Sequence, residues 1–104
     1  MASRHEIEMN YEQAIEQAKK LEEAATSLSN LSRSKFNNTL QNIRASWSGE
    51  SADYYLTCGN KLQTNMNKTS SELSSLASDL RRIAKNIYDA EMENWRRAQR
   101  HRHH

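Results

Sequence analysis

Trp47-Ser48-Gly49 stands near the middle of a chain of 104 residues that has no proline and only one other glycine, Gly59. On either side runs a long stretch with apolar residues at helical spacing. A single tight break between two long helices is the signature of an antiparallel helical hairpin. Gly49 is the residue best suited to the reversal, because it adopts backbone angles that cost other residues energy. The expected architecture is all-α: a single helical-hairpin domain over residues 1–104, with helix one at about 5–46 and helix two at about 50–96. A basic, flexible tail would occupy 97–104.

Outward from the break, the first arm shows Ile7, Tyr11, Ala14, Ala18, Leu21, Ala25 and Leu28 at steps of four and three, a coiled-coil-like stripe. Beyond Leu31 the phase slips, and Phe36, Leu40, Ile43 and Trp47 resume the rhythm one place out of register. Local over- or underwinding absorbs such a slip. The intervening run Ser27-Leu28-Ser29-Asn30-Leu31-Ser32-Arg33-Ser34 has poor helix propensity, which marks it as a weak spot.

The second arm is more regular. Ala52, Tyr55, Gly59, Leu62, Met66, Thr69, Leu73, Leu76, Leu80, Ile83, Ile87 and Ala90 alternate steps of three and four. They read as one seam about 40 residues long, or roughly 60 Å. The interface is expected on Leu62, Met66, Leu73, Leu76, Leu80, Ile83 and Ile87. Ser48 or Ser51 suits the N-cap, with Glu50 and Asp53 in the first turn, where the helix dipole favours acids. Gly59 within the seam costs about 1 kcal/mol relative to alanine. Its presence there means either close approach by a neighbour or tolerated slack.

Composition excludes several classes. Hydrophobic residues make up 36% and charged residues 27%, too polar for a compact enzyme but usual for thin helical rods, whose surface is large for their volume. No apolar run approaches the ~20 residues needed to span a bilayer, so no membrane insertion is expected. The start, Met1-Ala2-Ser3-Arg4-His5-Glu6, leads into Glu8 and Glu12 rather than an apolar segment, unlike a secretory signal. One cysteine, Cys58, cannot form an internal disulfide and fits a reducing cytoplasm. Catalysis finds no support, and neither a cofactor nor a metal site is expected. His5 is isolated, His101, His103 and His104 lie at the terminus, and two glycines cannot build a phosphate loop. The formal charge is +2, yet Arg96, Arg97, Arg100 and Arg102 supply four of the 15 basic residues. Such an end contacts phosphates in some proteins, but it also suits a helix C-terminus, and the helices themselves lack a basic stripe. Nucleic acid is therefore not the expected partner.

Two helices laid side by side cover each other along one line only. Ile15, Leu31, Tyr54, Leu56, Tyr88 and Trp95 are expected to stay outside that line. An isolated hairpin buries too little to be stable alone, and pairing two hairpins into a four-helix bundle closes both faces. A homodimer or a complex with another helical protein is expected.

A chain of this length, with two long helices and Trp47-Ser48-Gly49 at the turn, resembles the WXG family of ESAT-like proteins of type VII secretion. The likeness covers the whole chain, with Trp47 and Gly49 matching the turn motif. The family's second mark is a tyrosine late in helix two followed four places on by an acid. Here Tyr88-Asp89-Ala90-Glu91-Met92 places methionine at that position, with acids at Asp89, Glu91 and Glu93. The resemblance implies a non-enzymatic protein, cytoplasmic before export and then secreted or held at the cell surface. Some relatives instead serve as targeting partners for toxins bearing a helical Leu-x-Gly domain, and this departure fits that role. The resemblance also implies a recognition patch of Trp47, Gly49, Tyr88 and Glu91 read by the secretion ATPase. Within one hairpin Trp47 and Tyr88 stand about 60 Å apart by helix rise. In an antiparallel pair of hairpins the turn of one chain meets the termini of the other. Open beside this reading stand a free-standing secreted homodimer, a structural coiled-coil subunit, and a nucleic-acid binder using the basic end.

Overall fold

The computed structural model describes residues 2–47 and 49–102. Ser48, the middle residue of the turn motif, and the closing His103 and His104 lie outside the described residues. Among the described residues all regular structure is helical. Helix α1 runs Arg4–Asn30 and is followed by a π-helical segment, Leu31–Phe36. Helix α2 spans Asn37–Ser46, and α3 spans Glu50–Arg102.

Ser3 starts α1. Its Oγ accepts the Glu6 N–H at 3.2 Å, and its carbonyl accepts the Ile7 N–H at 3.0 Å. The side-chain bond satisfies one of the donors that every helix start leaves unpaired, and the carbonyl bond is the first of the helix. The first arm then departs from the single helix expected over 5–46, and it does so at the Ser-rich stretch where the apolar phase slips. A π turn bonds i to i+5 and so accommodates an additional residue. That residue is the one by which Phe36, Leu40 and Ile43 are out of step with Leu28. Ser34 Oγ donates to the Asn30 carbonyl at 2.8 Å and Thr39 Oγ1 to the Lys35 carbonyl at 3.0 Å, a pattern that bends helices.

The α2 helix ends where Trp47 becomes extended, with φ −109° and ψ 151°, its N–H still bound to the Ile43 carbonyl at 2.8 Å. Gly49 has φ +85°, a left-handed angle that strains residues bearing a Cβ. Its carbonyl accepts the Asp53 N–H at 3.2 Å, the first bond of α3, so Ser51 lies inside the helix rather than capping it. Past residue 96, where a flexible tail was expected, α3 continues to Arg102. Arg100, His101 and Arg102 form its last turn, where cations oppose the negative end of the dipole.

The described chain packs as two compact units. One comprises Glu22–Ser74; the other joins Met1–Leu21 to Ser75–His104. In the first, α2 and the end of α1 run antiparallel to the first half of α3. Ser70 Oγ donates to the Ala25 carbonyl at 2.7 Å, and Gln63 Nε2 donates to the Ser32 carbonyl at 2.9 Å. Ser32 is fully buried in the π segment, and its Oγ has no hydrogen-bond partner among the described residues. Leu40 is buried at Gly59, where a Cβ would collide with Leu40 Cδ2. Close approach, not slack, therefore explains this glycine. In the second unit Ile7 and Ala18 of α1 and Ala77, Ala84 and Met92 of α3 are buried.

Small residues dominate these contacts, and this corrects the reading of helix two. Met66, Leu73 and Leu80 are half-buried. Leu62, Leu76, Ile83 and Ile87 are 51, 53, 46 and 53% exposed, so they do not lie in the intramolecular seam. The positions that face the first arm are Gln63, Ser70, Ala77 and Ala84. They fall one residue after Leu62, Thr69, Leu76 and Ile83, about 100° further around the helix. Short side chains let the two backbones come within reach of side-chain-to-carbonyl bonds, and bulky ones at those positions would hold them apart. Of the residues expected outside the seam, Leu31 and Tyr54 are exposed, while Ile15, Leu56, Tyr88 and Trp95 are half-buried.

Candidate recognition surfaces

Trp47 is 49% exposed at the end of α2, in the Glu22–Ser74 unit. Its ring meets Tyr55 edge-to-face, with centroids 5.4 Å apart and planes at 84°. Tyr54 continues the cluster, 5.8 Å from Tyr55 at 74°. Edge-to-face pairs favour this separation because the positive ring edge meets the negative face. Tyr54 and Tyr55 are themselves 66 and 51% exposed, so three aromatic rings stand together on the surface beside Gly49. A Cβ built on Gly49 would meet nothing within 4 Å, so this glycine serves backbone angle rather than space. Of this cluster, Trp47 and Gly49 were legible as a motif. The joining of Trp47 to Tyr55 follows from the short break, which leaves the first turns of α3 beside the end of α2.

Tyr88 belongs to the other unit and is half-buried. It packs on Tyr11 of α1, with centroids 4.8 Å apart and planes tilted by 40°. The Lys85 ammonium lies 5.8 Å from the Tyr88 ring centroid and donates to Asp89 Oδ1 at 2.7 Å. That hydrogen bond to Asp89 raises the Lys85 ammonium above the usual lysine range. A groove of about 230 Å³ opens here, lined among others by Ile7, Tyr11, Ile87, Tyr88 and Glu91. Glu91 thus lines the same groove as Tyr88. Glu93 is not: it is tied to Arg96, Arg97 and Arg100.

Met92 stands where the family's acid is expected, and it is 3% exposed. It is a core residue of its unit, so this position packs and displays no charge. The signal was present in the sequence, because Tyr88, Met92 and Trp95 follow at steps of four and three and form one apolar line. Trp95 is half-buried, with the Arg4 guanidinium 5.8 Å from its ring centroid. Arg4 also pairs with Glu8 at 3.1 Å. Among the described residues no group of three or more His, Cys, Asp or Glu is arranged to hold a metal. No helix among them is long and apolar enough to cross a membrane.

No curated protein and no solved structure matched the chain. The model of the family WXG100, described as proteins of 100 residues with WXG, matches residues 6–92. That span takes in most of α1, the π segment, α2, the turn motif and most of α3, so it covers both arms as well as the Trp47-Ser48-Gly49 break. With the larger part of its length matched, the chain belongs to the WXG100 family.

Proposed function

We propose that this protein binds the elongated helical N-terminal domain of a Leu-x-Gly toxin and accompanies it to the secretion machinery. As a WXG100 protein it is a small helical protein associated with type VII secretion, in a family whose members typically dimerise. The observation that carries the reading is the uncovered apolar surface of α3. Leu76, Ile83 and Ile87 follow at steps of seven and four and are each about half exposed. Large aliphatic side chains left in water at helical spacing are the marks of a helix awaiting a second helix. Covering the exposed half of each is worth about 0.8–1.5 kcal/mol, a contribution that favours pairing.

Met92 supports a different chain as the partner over a second copy. A homodimer carries methionine at this place in both copies, so neither supplies the acid that the family resemblance calls for. A distinct helical partner can supply it. In the assembled pair each turn lies beside the other chain's termini, so the Trp47–Gly49 end and the Tyr88–Glu91 end of this chain, each completed by the partner, are the surfaces offered to the secretion ATPase. The exposed aromatic cluster at Trp47 and the groove beside Tyr88 support that assignment, since aromatic anchors dominate interfaces of this kind.

The decisive experiment is co-expression with the helical domain of a Leu-x-Gly toxin from the same host, followed by size-exclusion chromatography and a secretion assay in that host. A stable heterodimer is expected. Trp47→Ala and Tyr88→Ala should still co-purify with the toxin, while its export falls sharply. A purified homodimer that ignores the toxin domain, or normal export from both variants, overturns the proposal.

A further inference from the structure

The C-terminal end of α3 carries a second surface, independent of the apolar one. Glu93, Arg96, Arg97 and Arg100 fall at steps of three, one and three, which sets them on one face of the helix. Arg97 Nε and Arg100 Nη2 each lie 3.3 Å from Glu93 Oε1, and Arg96 Nη1 lies 4.0 Å from Oε2. A single carboxylate therefore gathers three guanidinium groups and leaves two positive charges uncompensated within the group of four. The arginine side chains are 59 to 65% exposed.

Helix stability does not account for the set. The dipole favours cations within the last turn, and that turn is Arg100, His101 and Arg102. Arg96 and Arg97 precede it. One arginine would serve Glu93 as an ion pair, and further ones add like-charge repulsion. Each guanidinium presents five donors in a planar fork suited to two-point binding of a carboxylate or phosphate, and Glu93 occupies only part of that capacity. Outside Glu93–Arg102 the chain holds 11 basic and 12 acidic residues, so the net positive charge is confined to this end.

We infer that the Arg96, Arg97 and Arg100 face is a docking site for an acidic segment of a partner polypeptide. The compactness of the patch argues against nucleic acid, which is gripped through many phosphates along a basic track. A membrane surface is disfavoured because the segment from Glu93 to Arg102 offers Trp95 as its one large apolar side chain, and Trp95 is half-buried beneath Arg4. An acidic peptide with neighbouring carboxylates matches both the spacing and the number of free donors.

The test uses the full chain and a fluorescein-labelled oligoglutamate peptide, with binding followed by anisotropy at low and physiological salt. The triple variant Arg96→Gln, Arg97→Gln, Arg100→Gln keeps good helix formers at all three positions. It should bind roughly tenfold more weakly, the combined effect of three exposed ion pairs each worth a factor of about 1.5–5. A control of equal charge change, Lys19→Gln, Lys20→Gln, Lys68→Gln, should bind like the parent, with helical content of all three proteins checked by circular dichroism. Phosphatidylserine vesicles and a thymidine oligonucleotide form the competing arms. No binding of the peptide, an equal loss in the lysine control, or tighter binding to vesicles or oligonucleotide would overturn the inference.

Discussion

Replacing Gly59 by alanine probes a close contact between the two arms. The change adds one methyl in a helix interior, where alanine is favoured over glycine by about 1 kcal/mol. In this fold that methyl would run into Leu40 Cδ2 and would stand 3.5 and 3.6 Å from Cγ and Cδ1. Leu40 is only 6% exposed, so its side chain has little space in which to swing aside. Overpacking of this kind costs about 1–3 kcal/mol. The two effects oppose, and Gly59→Ala should change stability by a net loss of about 0–2 kcal/mol.

The companion variant makes the argument sharp. Leu40→Ala alone removes a buried side chain and should cost about 2–5 kcal/mol. In that background the methyl at position 59 enters vacated space, so the clash is gone and only the gain in helix propensity remains. Gly59→Ala should then stabilise by about 1 kcal/mol, which reverses its sign and gives a coupling of roughly 1–3 kcal/mol between the two sites. Urea denaturation followed by far-ultraviolet circular dichroism measures all four proteins, at one fixed concentration because pairing contributes to apparent stability. If Gly59→Ala stabilises by the same amount in both backgrounds, the arms are not in close contact there and the reasoning fails.

The split of α3 into two faces predicts different behaviour for two leucines. Leu80→Ala should destabilise the single chain toward the low end of about 2–5 kcal/mol, whereas Leu76→Ala should stay within about 0.5 kcal/mol yet weaken pairing, read by sedimentation. Met92→Ala removes a buried side chain and should cost about 2–5 kcal/mol, lowering export through folding, while Met92→Leu should retain both; equal effects would place Met92 in recognition rather than packing. Deleting Ser34 brings the two apolar stripes of the first arm into one register, so the segment should wind as continuous α-helix with stability kept or raised. Loss of folding on that deletion, measured by thermal denaturation, would show that the π turn does more than absorb a residue.

The periodicities and the turn chemistry determined a great deal unaided. An absent proline, a lone Trp-x-Gly break and apolar spacing at three and four point to an all-helical chain of two long arms. The register slip past Leu31 marked a weak spot within what was expected as one helix, and the π segment falls there, because helical phase is a local property of the chain. Tertiary structure alone decided which face of α3 turns inward. Leu62, Leu76, Ile83 and Ile87 are larger and more apolar than Gln63, Ser70, Ala77 and Ala84, and hydrophobicity alone assigns the larger set to the seam. Distance between backbones, however, is set by the shortest side chains that both arms can place opposite each other, and Ala18, Ala25 and Ser32 meet that need on the first arm. The same competition buried Met92 and joined Tyr11 to Tyr88. Packing is a property of two surfaces together, and a single strand of sequence shows one surface at a time.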